Sequence, residues 1–125
     1  MRKRVLIIDD EPLIRQMLRQ ALGNAGFDVA DVGTAREAFL TAREQPPDLI
    51  ICDLQLDESD GLEVIDTLKR QLPAVPVMLL TGVLFYSEVA GSVVGDKISA
   101  YVEKTAPLRR VLEEARRLLN EPPRS

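Results

Sequence analysis

The sequence predicts an α/β domain: a five-stranded parallel sheet with helices on both faces. Three observations predict it. Five short apolar runs begin near Val5, Phe27, Leu49, Val77 and Ala100. Stretches with apolar residues at helical spacing follow most of them. Cap and turn residues punctuate the transitions between the two patterns. Such alternation implies parallel strands joined by helical crossovers, which are right-handed and leave few topologies.

Each element has its own justification. Residues 5–8 form a continuous apolar run, the pattern of a strand covered on both faces. Glu11-Pro12 opens the first helix, where proline is tolerated in the first turn. Leu13, Ile14, Met17, Leu18, Ala21 and Leu22 predict its core-facing stripe, and Asn24 and Gly26 its end. Residues 27–32 make a weaker strand, interrupted by Asp28 and Asp31 and suited to an edge. Thr34-Ala35-Arg36-Glu37 reads as a capping box for a helix that carries Ala38, Phe39 and Ala42 and stops at Pro46-Pro47. Residues 49–52 are the third strand. Asp60-Gly61-Leu62-Glu63 starts a third helix with Leu62, Val64, Ile65 and Leu68 as its apolar positions. Pro73 and Pro76 mark the turn into a fourth strand at 77–80, which runs into Thr81-Gly82. Residues 87–97 hold Gly91 and Gly95 among valines, so a short or irregular fourth helix is expected. Residues 100–103 are the fifth strand. Thr105 stands where it can cap a last helix bearing Leu108, Val111, Leu112, Ala115, Leu118 and Leu119. The strand order that fits is the doubly wound, flavodoxin-like 2-1-3-4-5, with one switch point between the first and third strands. Residues 1–120 form the domain, and 121–125 are a tail or the start of a linker.

Composition limits the function. The chain has 125 residues, 46% hydrophobic and 29% charged, with net charge −4, which gives no basic footprint for nucleic acid. The absence of histidine excludes Ser/His and Cys/His catalytic pairs and a phosphohistidine carrier. Cys52 is the single cysteine and lies inside an apolar strand, so it reads as an inert buried thiol in a reducing compartment. The apolar run at the N-terminus is too short for a signal peptide or a membrane span. A cytoplasmic location, with no membrane partner, is expected.

The chemistry lies at the strand ends. Asp9-Asp10 and Asp53 end two runs that should be neighbouring strands. Three acids then converge at one sheet edge, the side where ligands bind in such sheets. They would repel and raise one another's pKa unless a cation neutralised them. With no histidine or cysteine ligand, such a site suits Mg²⁺, or Mn²⁺, better than zinc. Thr81 and Lys104 also fall at strand C-termini and bring a hydroxyl donor and a positive point charge. Together they suit a phosphoryl group carried on Asp53 as an acyl phosphate.

Val5-Leu6-Ile7-Ile8-Asp9-Asp10-Glu11-Pro12, Asp53-Leu54 with Asp60-Gly61, Leu80-Thr81-Gly82 and Tyr101-Val102-Glu103-Lys104 resemble, in order and spacing, the receiver domains of two-component response regulators. The resemblance covers about residues 3–120. It implies that Asp53 accepts a phosphoryl group from a sensor histidine kinase or phosphotransfer protein. It also implies that Asp10 and Asp53 bind Mg²⁺ directly, that Asp9 acts through a water, and that the backbone carbonyl of Gln55 adds a ligand. Thr81 matches the switch hydroxyl, Lys104 the phosphate-contacting lysine, and Tyr101 the aromatic ring that turns inward on activation. The face made by the fourth helix, fifth strand and fifth helix is where receivers commonly dimerise or meet partners. The resemblance implies a switch that assists its own phosphotransfer and dephosphorylation, not a turnover enzyme on an external substrate.

Several positions depart from the family pattern. Thr105 follows Lys104 where receivers often have a proline after a cis bond; a trans Lys104–Thr105 bond is expected, since a cis one costs roughly 3 kcal/mol. Gly82 replaces the commoner alanine, Lys97 a glycine, and Asp57 a proline. Gln55 and Val83 occupy positions that tune phosphoryl lifetime in the family. A phosphorylation-independent interaction module is the alternative reading. A phosphatase of the haloacid dehalogenase type wants an acid where Gln55 stands.

Overall fold

The apolar runs are continuous because the sheet is covered on both sides, and their alternate residues divide between two cores. The structure, a computed structural model, describes residues 2–56, 59–82 and 97–120. Strands β1 (Arg4–Ile8), β2 (Asp28–Val32), β3 (Leu49–Asp53), β4 (Val77–Thr81) and β5 (Ala100–Glu103) form one parallel sheet in the order β2-β1-β3-β4-β5. Helices α1 (Pro12–Asn24), α2 (Ala35–Glu44), α3 (Gly61–Gln71) and the C-terminal helix (Leu108–Leu118) flank it. Leu6, Ile8, Ile50, Cys52 and Leu79 pack toward α2 and α3. Val5, Ile7, Leu49, Ile51 and Met78 pack toward α1 and the C-terminal helix. Each of these side chains is fully buried, and burial of each aliphatic one contributes about 1.5–3 kcal/mol.

Register carries this layering to the site. Ile8 aligns with Cys52, Asp53 with Leu80, and Thr81 with Glu103, so the C-terminal ends of β1, β3, β4 and β5 come together. β2 is one edge of the sheet, as its interrupting acids led one to expect, and β5 is the other. Gln55–Leu56 and Ser59–Asp60 pair as a small antiparallel ladder between β3 and α3.

The caps of α2 and α3 agree with the sequence. Thr34 Oγ1 accepts the Glu37 N–H at 3.1 Å and donates to Glu37 Oε1 at 3.1 Å. Asp60 Oδ1 accepts the Leu62 N–H at 2.9 Å. The last helix corrects one expectation. Thr105 lies in a turn closed by Ala106 N–H on the Glu103 carbonyl, and Pro107 takes the N-cap position. The chain uses that turn to leave β5, and the extended ψ of Pro107 then leads into the helix. A second correction concerns α1: Leu18 and Leu22 are buried, but Leu13 is 73% and Met17 48% exposed. The stripe read from spacing is wider than the surface the sheet covers.

There are no cis peptide bonds among the described residues, so Lys104–Thr105 is trans. Lys97 bonds Asp66 Oδ1 at 2.8 Å. The expected fourth helix up to Asp96, together with Val83, Asp57 and residues 121–125, lies outside the described residues. No described helix is long and apolar enough to cross a membrane.

Candidate functional site

Residue parity assembles the site. Asp9 continues the side of β1 that carries Val5 and Ile7, Asp53 that of Leu49 and Ile51, and Lys104 that of Ala100 and Val102. All three therefore extend the α1 side of the sheet. Asp10 follows Leu6 and Ile8 toward α2, where it borders Gly33, Thr34 and Leu56. One carboxylate oxygen from each of Asp9, Asp10, Glu11 and Asp53 lies within 4.8 Å of the others.

Lys104 ties the cluster together. Its Nζ lies 2.8 Å from Glu11 Oε1 and 2.9 Å from Asp53 Oδ2, donating to both, and 3.3 Å from Asp9 Oδ2. Asp9 Oδ1 accepts the Glu11 N–H at 2.9 Å, and Asp53 Oδ1 accepts the Gln55 N–H at 3.2 Å. Asp9 Oδ2 is buried and accepts no hydrogen bond. Its approach to Lys104 is an ion pair without hydrogen-bond alignment. A buried carboxylate oxygen without such a partner is costly, and a hard cation among these acids would satisfy it. The donor set therefore fits Mg²⁺ or Mn²⁺.

The electrostatics agree. Burial pushes the Asp9 carboxyl above its usual range, with the Asp53 charge adding to it, against the opposing pull of the Glu11 N–H and Lys104. Asp53 is raised too: burial outweighs Lys104 and the Gln55 N–H, and Asp10 adds repulsion. Burial alone would lower Lys104, yet its bonds to Glu11 and Asp53 and the charges of Asp9 and Asp53 hold it above its ordinary value. Cys52 is fully buried and its thiol is pushed far up, chiefly by burial, so it is inert at neutral pH.

The sign of the pH dependence follows. Because folding raises the pKa of Asp9 and Asp53, the metal-free folded chain holds their protons more tightly than the unfolded chain. Their contribution is most favourable below the ordinary carboxylate values and declines as pH rises through the raised ones. Mg²⁺ competes with those protons. As pH rises from the ordinary carboxylate range toward neutrality, urea midpoints should show a growing Mg²⁺-induced gain in stability. A gain independent of pH would contradict the assignment.

Sequence reasoning missed three residues here. Glu11 read only as a helix start, but it reaches Lys104, 93 residues away. Arg15 had no part in the sequence reading; its Nη1 donates to the Asp9 carbonyl at 2.6 Å and its Nε to Asp31 Oδ2 at 3.2 Å. It lies one turn after Glu11, the one local hint that it faces the site. Gly61 packs directly on the end of β3: a Cβ there would run into the carbonyl oxygens of Asp53 and Leu54. Arg15→Ala should weaken Mg²⁺ binding about three- to tenfold and lower stability by about 1–2 kcal/mol, measured by calorimetric titration and urea unfolding. An unchanged Mg²⁺ affinity would mean that Arg15 does not position Asp9.

Thr81 and Tyr101 are not drawn into this cluster. Thr81 is fully buried but continues the Val77–Leu79 side, opposite in parity to Asp53, and its hydroxyl donates to the Gly82 carbonyl at 3.0 Å. Tyr101 is half-buried on the same side, aligned with Leu79. The backbone of Thr81 does touch the site: its carbonyl accepts the Lys104 N–H at 3.0 Å.

A family model for the response regulator receiver domain matches residues 5–116. The chain belongs to that family. Receiver domains are the phosphoacceptor switches of two-component response regulators. The chain is 34% identical over 116 residues to the probable transcriptional regulatory protein TcrX of Mycobacterium tuberculosis, which covers 92% of this chain and 49% of that protein. It is 44% identical over 96 residues to the KDP operon transcriptional regulatory protein KdpE of Escherichia coli, covering 77% and 39%. It spans about half or less of the length of these curated relatives. Among solved structures, the chemotaxis response regulator CheY4 of Vibrio cholerae superposes with a TM-score of 0.84 at 27% identity, covering 95% of this chain and 100% of that one. The response regulator TrrA of Thermotoga maritima, solved with Mg²⁺ and BeF, gives 0.83 at 28% identity, covering 94% and 99%.

Proposed function

We propose that Asp53 of this receiver domain is the phosphoacceptor and that a sensor histidine kinase or phosphotransfer protein is the donor. The observation that carries the reading is the environment of Asp53. It is 5% exposed, with one oxygen held by Lys104 and the other by a backbone N–H, beside the orphaned oxygen of Asp9. An Asp53 oxygen attacks the phosphorus of a phosphohistidine; the P–N bond breaks, its electrons return to the imidazole, and an acyl phosphate forms on Asp53. Lys104 then moves its donors to the phosphoryl oxygens. Asp9, Asp10, Asp53 and the Gln55 carbonyl would hold Mg²⁺ or Mn²⁺, whose charge offsets that of the transferred group.

The new group adds about −1.5 to −2 charge. It shifts conformation only through contacts made better in one state than in the other. The hydroxyl of Thr81, which here serves the Gly82 carbonyl, is the donor that gains a partner by turning toward Asp53, and Tyr101 shares its side of the sheet. The face that would respond includes β5 and the C-terminal helix and is where a second copy or an output partner would bind. Hydrolysis of the acyl phosphate at the same site would reset the switch. The domain itself spans residues 1–120, with 121–125 as tail or linker. With net charge −4 it is assigned no nucleic-acid contact of its own.

The test is incubation with a small acyl-phosphate donor, with and without Mg²⁺. Wild type should take up one phosphoryl group only with the metal, and Asp53→Ala should take up none. Equal uptake by the two proteins would remove Asp53 from the role.

A further inference from the structure

We infer that Glu11 is a positioning residue that restrains Lys104 in the unphosphorylated domain and must release it when Asp53 is phosphorylated. The inference rests on the acceptor reading of Asp53. Glu11 is the N-cap residue of α1, yet its side chain makes no cap hydrogen bond. It instead crosses from the β1–α1 junction to the segment after β5, where Glu11 Oε1 lies 2.8 Å from Lys104 Nζ. The Glu11 side chain is 59% exposed, while Asp53 is 7% and Asp9 fully buried. The strap therefore lies on the solvent side of the pair it spans.

The lysine has three donor hydrogens, and Glu11, Asp53 and Asp9 already surround it. A phosphoryl group on Asp53 offers new charged acceptors beside the same ammonium. It also places its charge near Glu11, which repels it. Glu11 thus opposes the phosphorylated state twice: it competes for Lys104 and it adds like charge. Since its carboxylate is exposed, it can swing into solvent at little desolvation cost once Lys104 turns to the phosphoryl. An acid at this position keeps the resting site closed to weak anionic donors and leaves the resting lysine pre-placed beside Asp53.

The test compares wild type with Glu11→Gln, which keeps the shape and removes the charge. At saturating Mg²⁺, labelling by a small acyl-phosphate donor should be about three- to tenfold faster in Glu11→Gln. In the metal-free proteins, the Lys104 ammonium protons, followed by nitrogen-edited NMR, should exchange with water faster in the variant. Mg²⁺ affinity, titrated separately, should fall by less than tenfold, the loss of a nearby charge rather than of a ligand. Slower or unchanged labelling, unchanged ammonium exchange, or a Mg²⁺ affinity that falls tenfold or more would overturn the inference, the last by making Glu11 a metal ligand. If wild type takes up no phosphoryl group at all, it is the acceptor reading that fails, and the ammonium exchange still decides whether Glu11 restrains Lys104.

Discussion

Lys104→Ala is expected to destabilise the metal-free domain by about 2 kcal/mol at neutral pH and to make it depend more on Mg²⁺. The lysine side chain is 21% exposed and sits between Asp53 and Asp9, which are nearly or fully buried. Removing one partner of a fully buried pair costs about 3–5 kcal/mol, because the other charge stays behind unpaired. Solvent at the exposed side of Lys104 reduces that figure. The two acids respond by holding protons more tightly still. The loss should therefore be largest at neutral pH and shrink as pH falls toward the carboxylate range, where the acids are neutral in wild type and variant alike. A cation can take the place of the ammonium, so Mg²⁺ should raise the melting temperature more in Lys104→Ala than in wild type. Thermal melts with and without Mg²⁺ measure this. A variant as stable as wild type, or less stabilised by Mg²⁺, would show that Lys104 does not neutralise the cluster.

Gly61→Ala is expected to destabilise by about 2–3 kcal/mol, against the sign that helix propensity gives. Alanine is the better helix former by about 1 kcal/mol in a helix interior, and Gly61 is the first residue of α3. What outweighs propensity is position. Gly61 N–H donates to the Leu54 carbonyl at 3.0 Å, and a Cβ added there would run into the carbonyl oxygens of Asp53 and Leu54. Those atoms belong to the backbone that carries Asp53, and Leu54 N–H is itself tied to the Leu80 carbonyl. The strand has no side chain to turn aside, so either α3 or the end of β3 must move. Chemical unfolding gives the stability loss, and Mg²⁺ titration should show weaker binding, since Asp53 shifts with its backbone. If Gly61→Ala were as stable as wild type, the close approach of α3 to β3 would be wrong.

The sheet and the acids were legible in the sequence for the same reason. Strands buried on both faces must be apolar throughout, so a polar or charged residue ending such a run marks both the strand end and the site. Asp9, Asp10, Asp53 and Lys104 all carry that mark, and the structure brings them together. Thr81 also carries it, but strand parity sends its side chain the other way, which spacing alone does not reveal without knowing which residue of each run faces which helix. Glu11 and Gly61 stand inside motifs read for a helix start, and Arg15 has only its spacing from Glu11, so none of the three is marked for its role. Their roles come from contacts to Lys104, to the Asp9 carbonyl and to the backbone of Asp53 and Leu54, which exist only once the sheet is closed. Leu13 and Met17 show the opposite error: apolar spacing predicts a helix face, but how far the sheet extends decides how much of it is covered. At the last helix, Thr105 has the chemistry of a cap, but the turn that leaves β5 consumes it.

If Asp53 is the phosphoacceptor proposed above, the phosphoryl group resides there as an acyl phosphate. The direct measurement is chemical mapping: phosphorylate the protein with a small acyl-phosphate donor and Mg²⁺, reduce the acyl phosphate with borohydride, digest it, and locate the reduced residue by tandem mass spectrometry. A single reduced residue at Asp53 is expected, absent when Mg²⁺ is chelated before the donor is added. Reduction at Asp9, Asp10 or Glu11 instead, or no reduced residue under conditions that saturate the metal, would contradict it.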